Sequence, residues 1–258
     1  MIGPDAVVGP FSTVGPEVVL GEGVVLKSHV VVTGRTEIGA GTVVFPFASL
    51  GEVPQDLKYR GEKTRLVIGR RNRIRETVTM NIGTEGGGGV TRVGDDCLFM
   101  AGAHVGHDAR VGNRVIMANQ SALAGHCVIE DDVIIGGLCG VHQFVRIGRG
   151  AIIGALTMVT HDVIPHGLVH GPRGALEGLN LIGLKRRGTP REEIRALRQA
   201  YRLLFSEEGT LAENIARIEA ELGDSDLVAD VLRFLTGPSE RAFLTPAREV
   251  RSGEDGAP

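Results

Sequence analysis

Apolar residues recur at every sixth position through most of the segment from Ile2 to Val159. A short fixed period indicates a solenoid, because each unit buries its apolar residue only by stacking on neighbouring units. A period of six suits a short strand followed by a turn. Three such repeats would close one triangular coil and place residue i directly above residue i + 18. The repeat positions are Ile2, Val8, Val14, Leu20, Leu26, Val32, Ile38, Val44 and Leu50, then Ile68, Ile74 and Met80, and then, shifted by one residue, Val93, Phe99, Val105, Val111, Met117, Leu123, Ile129, Ile135, Val141, Ile147, Ile153 and Val159.

Two segments interrupt the repeat. The first, near residues 51–66, is polar and irregular, and the second, near residues 83–92, is rich in glycine and shifts the register by one. Loops that interrupt a solenoid usually emerge on its binding face. We therefore predict a β-solenoid over residues 1–183 whose function depends on these two loops.

The C-terminal part of the chain has helical spacing. Thr189 to Glu192 and Thr210 to Glu213 have the pattern of capping boxes, in which a Thr hydroxyl and a Glu carboxylate accept from free backbone N–H groups. A third helix is predicted from about Asp226, ending at Gly237-Pro238. These features predict a helical domain over residues 184–258 that covers one end of the coil. The last dozen residues are polar and rich in Gly, Pro and charge, which predicts a disordered tail.

Composition excludes several classes of function. The net charge of −3 and the pI near 6.3 give no reason to expect binding to nucleic acid or to an anionic membrane. No apolar run approaches the roughly 20 residues that a membrane span requires, and the N-terminus lacks the basic and apolar regions of a secretion signal. We therefore expect a cytoplasmic enzyme.

The three cysteines are interpreted as packing residues. Cys97, Cys127 and Cys139 each lie four residues after a repeat position, in a column of mostly small residues. Counting repeats places them on three different faces of the coil, which argues against a disulfide or a metal cluster.

Four histidines lie within just over two coils: His104, His107, His126 and His142. The register of three repeats per coil places Gly125 one rung from His107 and Gln143 two rungs from it, with rungs about 4.8 Å apart. A histidine beside a carboxylate, as in His107-Asp108, can remove a proton from a sugar hydroxyl, and a fixed glycine N–H can stabilise the oxyanion that follows. Residue types and spacing also allow zinc held by three histidines from two subunits, as in the gamma-class carbonic anhydrases.

Several longer strings give the sequence a more specific resemblance. They include Gln55-Asp56-Leu57-Lys58-Tyr59, His104-Val105-Gly106-His107-Asp108, Val141-His142-Gln143-Phe144 and Gly183-Leu184-Lys185-Arg186-Arg187-Gly188. The sequence strongly resembles the acyl-carrier-protein-dependent UDP-N-acetylglucosamine O-acyltransferases, the first enzymes of lipid A biosynthesis. The resemblance runs from about Ile2 through the helical end.

The resemblance implies a fold, an assembly and a reaction. The fold is a left-handed parallel β-helix of hexapeptide repeats with a C-terminal α-helical domain, assembled as a homotrimer with active sites between subunits. The reaction is transfer of an (R)-3-hydroxyacyl chain from acyl carrier protein to the 3-position of UDP-N-acetylglucosamine, with no metal and no cofactor. A basic rim at Lys185, Arg186 and Arg187 is the expected docking surface for the acidic carrier protein.

The resemblance also assigns roles by position. It implies that His107 is the general base, Asp108 its orienting carboxylate and Gly125 the oxyanion donor. Ala155 lies where the family limits acyl-chain length, which predicts a fairly long chain, and Ile182 stands where some members have a carboxylate. The remaining residues implied to bind substrate are Asp56 at the sugar, Lys58, His104, His126, His142 and Gln143 along the site, and Asn180, Arg186 and Arg187 at the nucleotide end.

Two alternatives remain from the sequence. A gamma-class carbonic-anhydrase-like zinc lyase would use the histidines but gives no task to the 55–59 string or to Lys185-Arg186-Arg187. Another hexapeptide acyltransferase, such as one that N-acylates a glucosamine derivative, shares the coil but usually carries an additional N-terminal domain.

Overall fold

The computed structural model of the chain describes residues 1–246 and shows a left-handed parallel β-helix followed by four short helices. The predicted disordered tail lies outside the described residues. Most strands contain two residues, as expected when a strand and a turn share six positions. In chain order the strands are β1 (Val7–Val8), β2 (Thr13–Val14), β3 (Val19–Leu20), β4 (Val25–Leu26), β5 (Val31–Val32), β6 (Arg35–Ile38), β7 (Val43–Val44), β8 (Ser49–Glu52), β9 (Arg65–Ile68), β10 (Arg73–Ile74), β11 (Thr79–Asn81), β12 (Val90–Val93), β13 (Leu98–Phe99), β14 (His104–Val105), β15 (Arg110–Val111), β16 (Ile116–Met117), β17 (Ala122–Leu123), β18 (Val128–Ile129), β19 (Ile134–Ile135), β20 (Gly140–Val141), β21 (Arg146–Ile147), β22 (Ile152–Ile153), β23 (Met158–Val159), β24 (Gly167–His170) and β25 (Ala175–Leu179).

The strands stack into three sheets, one on each face of the coil. Sheet 1 runs from β1 through every third strand to β22 and then adds β24 and β25, sheet 2 runs from β2 to β23, and sheet 3 from β3 to β21. Pairing is parallel, apart from β24 with β25, and His104 pairs with Ala122 while Val105 pairs with Leu123. The predicted register of three repeats per coil is therefore confirmed around the candidate site.

The repeat positions form the core of the coil. Every one of them from Leu20 to Val159 is buried, whereas Ile2 is 57% exposed and Val8 41% exposed. The first coil has a rung on one side only, and its apolar side chains therefore lack half of the contacts that bury the others.

The three cysteines are buried and free, which confirms that they are packing residues. Burial raises the pKa of the Cys97 thiol to about 11 and that of Cys127 to about 12. Thiols held in the protonated state are poor nucleophiles and poor metal ligands.

The helices are α1 (Leu181–Arg186), α2 (Arg191–Leu204), α3 (Leu211–Leu222) and α4 (Asp226–Thr236). The capping box at Thr210 is confirmed: its side chain accepts from the Glu213 N–H, and Glu213 accepts from the Thr210 N–H. The capping box predicted at Thr189 is wrong. Helix α2 begins after Pro190 with no side-chain cap. The Thr189 N–H, which Glu192 would accept from in a capping box, donates instead to the carbonyl of Leu184 at the end of α1.

The helices pack on the last coils through Tyr201, Phe205 and Leu235, which contact the core of the coil. Arg146 of β21 lies 4.3 Å from the ring centroid of Phe234 in α4, a cation–π contact that joins the two parts. Among residues 1–246, no helix is both long and apolar enough to cross a membrane.

Candidate active site

The candidate site lies at one corner of the coil, where chains leave sheet 2 and enter sheet 3. His107 and Asp108 lie between β14 and β15, and Gly125 lies between β17 and β18. Both loops predicted from the sequence emerge at the same corner: residues 53–64 between β8 and β9, and a 3₁₀ turn at Glu85–Gly87 between β11 and β12. The two loops therefore lie beside His107 and His126.

His107 and Gly125 are in direct contact on neighbouring rungs. A Cβ atom added to Gly125 would stand 2.5 Å from Cε1 and 2.6 Å from Nε2 of His107. Only glycine leaves room for the imidazole here. Among residues 1–246, the Gly125 N–H donates to no backbone carbonyl. It is therefore available to donate to another group beside the imidazole ring.

Asp108 is a buried carboxylate with three donors. It accepts from Nδ1 of His107 at 2.9 Å, from the Thr84 hydroxyl at 2.6 Å and from the Thr84 N–H at 2.8 Å. Charge-assisted bonds of this length fix both partners. Because Nδ1 of His107 is the donor, Nε2 carries the lone pair and can accept a proton.

Thr84 was not predicted from the sequence. It precedes the 3₁₀ turn in the glycine-rich loop that shifts the repeat, and its side chain also accepts from the N–H of Gly87, the last residue of that turn. The loop thus has a structural reason to lie at this corner, because it supplies two of the three donors to Asp108.

His104 and His126 lie on either side of the His107–Asp108 pair. Burial, reinforced by the neighbouring His107, lowers the pKa of His104, whose Nδ1 lies 2.8 Å from the Thr79 hydroxyl. Burial also lowers the pKa of His126, with Asp108 acting in the opposite direction. The ring of His126 stacks on Phe144 at a centroid distance of 4.6 Å. Both histidines are therefore held as neutral imidazoles near pH 7.

Two cavities meet at this corner, on either side of the 53–64 loop. The first, of about 580 Å³, contains His107 and Gly125, and we call it the His107 cavity. The second, of about 590 Å³, lies against Asp108 and His126. Residues that line both are Asp56, Lys58 and Gln143, while His104 lines the first. The structure therefore brings together most of the predicted substrate-binding residues around one loop.

The remaining predicted residues lie elsewhere in the protomer. Ala155 is exposed at the corner between β22 and β23, where sheet 1 meets sheet 2. Asn180 lies at the corner between sheets 3 and 1, where its amide donates to the Gly150 carbonyl and accepts from the Gly183 N–H. Arg186 and Arg187 are exposed at the end of α1. Within one chain these groups are not part of the His107 cavity.

A metal ion has one candidate donor set among the described residues, formed by His107, Asp108 and His126, whose ligand atoms lie within 4.8 Å of one another. Oδ2 of Asp108 already accepts from His107 and from Thr84 at 2.9 and 2.6 Å. A metal bound there would have to displace the hydrogen bond from His107 together with the proton on Nδ1. The set therefore fits a hydrogen-bonded His–Asp pair better than a metal centre.

The coil, the helical end and the His–Asp pair beside a glycine amide define a hexapeptide-repeat acyltransferase. Comparison with known proteins makes this more specific. Residues 1–34 and 126–161 match the family described as bacterial transferase hexapeptide (six repeats), and residues 162–244 match UDP-N-acetylglucosamine O-acyltransferase, domain 2. The chain belongs to the UDP-N-acetylglucosamine O-acyltransferase family.

This chain is similar to individual relatives in sequence and structure along most of its length. The acyl-[acyl-carrier-protein]–UDP-N-acetylglucosamine O-acyltransferase of Paracoccus denitrificans is 69% identical over 79% of this chain and 77% of its own length. The structure of LpxA from Acinetobacter baumannii is 39% identical with a TM-score of 0.89, covering 95% of both chains. The UDP-N-acetylglucosamine acyltransferase of Bacteroides fragilis is 34% identical with a TM-score of 0.90, again over 95% of both chains.

Proposed function

We propose that the protein transfers an (R)-3-hydroxyacyl group from acyl carrier protein to the 3-position of UDP-N-acetylglucosamine, with His107 as the general base. The names of the relatives supply the donor and the acceptor. The observation that carries the chemistry is the placement of His107 between the buried carboxylate of Asp108 and the amide of Gly125, inside a cavity.

The proposed reaction begins at Nε2 of His107. This nitrogen takes the proton of the sugar 3-hydroxyl as the oxygen attacks the thioester carbonyl and a new C–O bond forms. Asp108 stabilises the imidazolium that results, and the Gly125 N–H donates to the oxyanion. The C–S bond then breaks, and the imidazolium returns its proton to the departing thiolate of the carrier protein. General-base assistance of this kind contributes about 10²–10⁴-fold in rate, and one oxyanion donor about 3 kcal/mol.

The residues around the His107 cavity have the chemistry to bind the acceptor. Asp56 and Lys58 face both cavities from the loop, with the Asp56 carboxylate held by the Lys58 N–H at 2.9 Å. We assign Asp56 to sugar hydroxyl groups, and Lys58, His104, His126, His142 and Gln143 to the remaining polar atoms of the substrates. The neutral state of His104 and His126 suits them to single hydrogen bonds with uncharged oxygens.

The assembly we propose is a homotrimer in which a neighbouring subunit completes each site. Support comes from the positions of the predicted groups, since His107, Ala155 and Arg187, whose guanidinium lies beside Gly150, are at three different corners of one protomer. A threefold arrangement of parallel coils can bring different corners of neighbouring subunits to a common groove. Arg186 and Arg187 would then contact the diphosphate, for which the planar guanidinium is suited. Lys185 would extend this basic rim towards the acidic carrier protein.

Product analysis tests the proposed reaction. Purified protein is incubated with labelled UDP-N-acetylglucosamine and 3-hydroxyacyl carrier protein, and the product is identified by mass spectrometry and fragmentation. We expect a 3-O-acyl sugar nucleotide and free carrier-protein thiol. A parallel reaction supplies the 3-amino analogue of the sugar nucleotide. Acylation of that amine with none of the 3-hydroxyl would assign the protein to an N-acyltransferase, and the absence of any acyl transfer would contradict the proposal. A parallel assay with a chelator separates the zinc alternative, because the proposed chemistry survives metal removal.

Mixed trimers test the shared site. Trimers reassembled from His107→Ala and Arg187→Ala subunits should recover activity, because some grooves then receive His107 from one chain and Arg187 from another. Activity no greater than that of the separate variants would contradict the shared-site arrangement.

A further inference from the structure

Residues 239–244, which follow the last helix, return across the final coil as an extended segment. The Asp162 N–H donates to the Ala242 carbonyl at 2.9 Å, and the Leu244 N–H donates to the Asp162 carbonyl at 2.7 Å. Phe243 forms a parallel bridge with Asp162 and packs against the core of the coil. This return segment is therefore fixed to the coil by backbone bonds and by burial.

A buried ion pair strengthens the attachment. The Asp162 carboxylate is fully buried and accepts from the Arg146 guanidinium at 2.7 Å and from the Ser239 hydroxyl at 2.6 Å. Arg146 fixes this carboxylate within the coil, and the bond from Ser239 ties the return segment to it.

The fixed segment places Arg241 against His142. Nη2 of Arg241 lies 2.8 Å from Nδ1 of His142, and Nε of the same guanidinium donates to the Gln143 carbonyl at 3.2 Å. The two nitrogens lie on one edge of a rigid fork, so one contact holds the other in place. Arg241 is joined in this way to a residue already assigned to substrate binding.

The contact decides where the proton of His142 lies. Arginine is always protonated and offers only donors, so Nδ1 of His142 must accept and its proton must lie on Nε2. The competing arrangement, in which Nδ1 donates to the Gln143 carbonyl, has a longer distance of 3.3 Å. The Gln143 carbonyl accepts from Nε of Arg241 and therefore has a donor without His142.

We propose that Arg241 is a positioning residue that fixes His142 as a neutral Nε2–H donor towards an uncharged oxygen of a bound substrate. The proposal rests on the proposed function for the identity of that substrate. His142 is exposed on the protomer, and the next residue, Gln143, lines both cavities, so His142 is adjacent to them in the chain. Sugar hydroxyls and acyl or amide carbonyls share the required chemistry, and separate KM values for the sugar nucleotide and the acyl carrier protein distinguish them.

A double-mutant cycle tests whether Arg241 acts through His142. We expect Arg241→Ala and His142→Ala each to lower kcat/KM about tenfold, mainly through the KM of one substrate, a change of about 1.4 kcal/mol. The double variant should be no worse than His142→Ala alone, and Arg241→Lys should retain part of the effect. Losses that multiply to about a hundredfold, or a His142→Ala variant with unchanged kinetics, would overturn the proposal.

Controls separate this role from attachment of the segment. Phe243→Leu weakens the packing of the return segment on the core of the coil but leaves the hydrogen bonds of Arg241 in place, so we expect a lower melting temperature with the coupling between Arg241 and His142 retained. Arg217→Ala removes an arginine that pairs with Glu221 on α3, and it should change neither kinetics nor coupling.

Nitrogen NMR of the ligand-free protein gives a readout that does not depend on turnover. In full-length protein labelled at histidine, with His142 assigned by its Ala variant, we expect an unprotonated Nδ1 and a protonated Nε2. In Arg241→Ala this preference should be lost. A proton on Nδ1 in the unmodified protein would overturn the proposal even if acyl transfer is observed, and the expected tautomer would support the contact even if it is not.

Discussion

Gly125 lies against the imidazole of His107 so closely that an added Cβ would stand 2.5 Å from its Cε1 atom. The two residues are three repeats apart and occupy the same place on neighbouring rungs, as the pairing of Val105 with Leu123 shows. The contact joins the candidate base to the candidate oxyanion donor.

The first prediction concerns this contact. Gly125→Ala should displace the His107 ring and lower kcat by about 10²-fold or more, a loss comparable to removal of one catalytic group. Steady-state kinetics of the purified protein measure it. Gly15→Ala is a suitable control at the same corner, because its Cβ would meet only an ordinary contact at 3.4 Å. Unchanged turnover in Gly125→Ala would contradict the close packing that the structure shows.

The second prediction concerns the base itself. His107→Ala should keep the melting temperature and the oligomeric state while losing about 10²–10⁴-fold in kcat, because the sugar hydroxyl then lacks its proton acceptor. His161→Ala is the matched control, since His161 lies in the same column but is exposed and lines neither of the two cavities. Near-normal turnover by His107→Ala would remove it from the mechanism.

The third prediction concerns acid stability and His166. This residue is 3% exposed, and neither ring nitrogen has a hydrogen-bond partner among the described residues. Burial, followed by the charge of Arg187, lowers the pKa of His166 to about 4, with Arg149 acting in the same direction and Asp230 and Asp132 opposing.

Because the unfolded chain binds this proton at about pH 6.5, the folded state loses stability as pH falls from about 6.5 towards 4. The full effect is about 3 kcal/mol, and it is absent above pH 6.5. Melting temperatures of His166→Phe should therefore decline less between pH 7.5 and pH 5 than those of the unmodified protein. His170→Phe, at an exposed position, should decline as much as the unmodified protein. An equal decline in all three would show that His166 does not carry the effect.

The fourth prediction concerns acyl-chain length. Ala155 is exposed at the corner between sheets 1 and 2, beside Leu156, which is 66% exposed. If a neighbouring subunit's acyl groove ends here, Ala155→Met should shift the preference towards shorter chains and Ala155→Gly towards slightly longer ones. Competition between carrier proteins with chains of different length measures the shift. A preference for very short chains in the unmodified protein would contradict the prediction of a fairly long chain.

The sequence by itself determined the coil. A period of six with three repeats per turn is a local property of short strands and turns, so the period alone identified the core positions and placed His107, Gly125 and Gln143 in one column. It also placed the cysteines correctly as packing residues. The sequence was misleading at Thr189, where the capping-box pattern is present but the residue's N–H binds the end of the preceding helix.

The tertiary structure decided the contacts that do not follow the period. Thr84 reaches Asp108 from an irregular loop, and Arg241 reaches His142 from 99 positions away along the chain. Neither contact can be predicted from the six-residue repeat, because each depends on how a loop or a terminal segment packs on the folded coil. Regular stacking is fixed by backbone spacing and can be counted along a sequence, whereas these side-chain partners are fixed only when separate parts of the chain pack together.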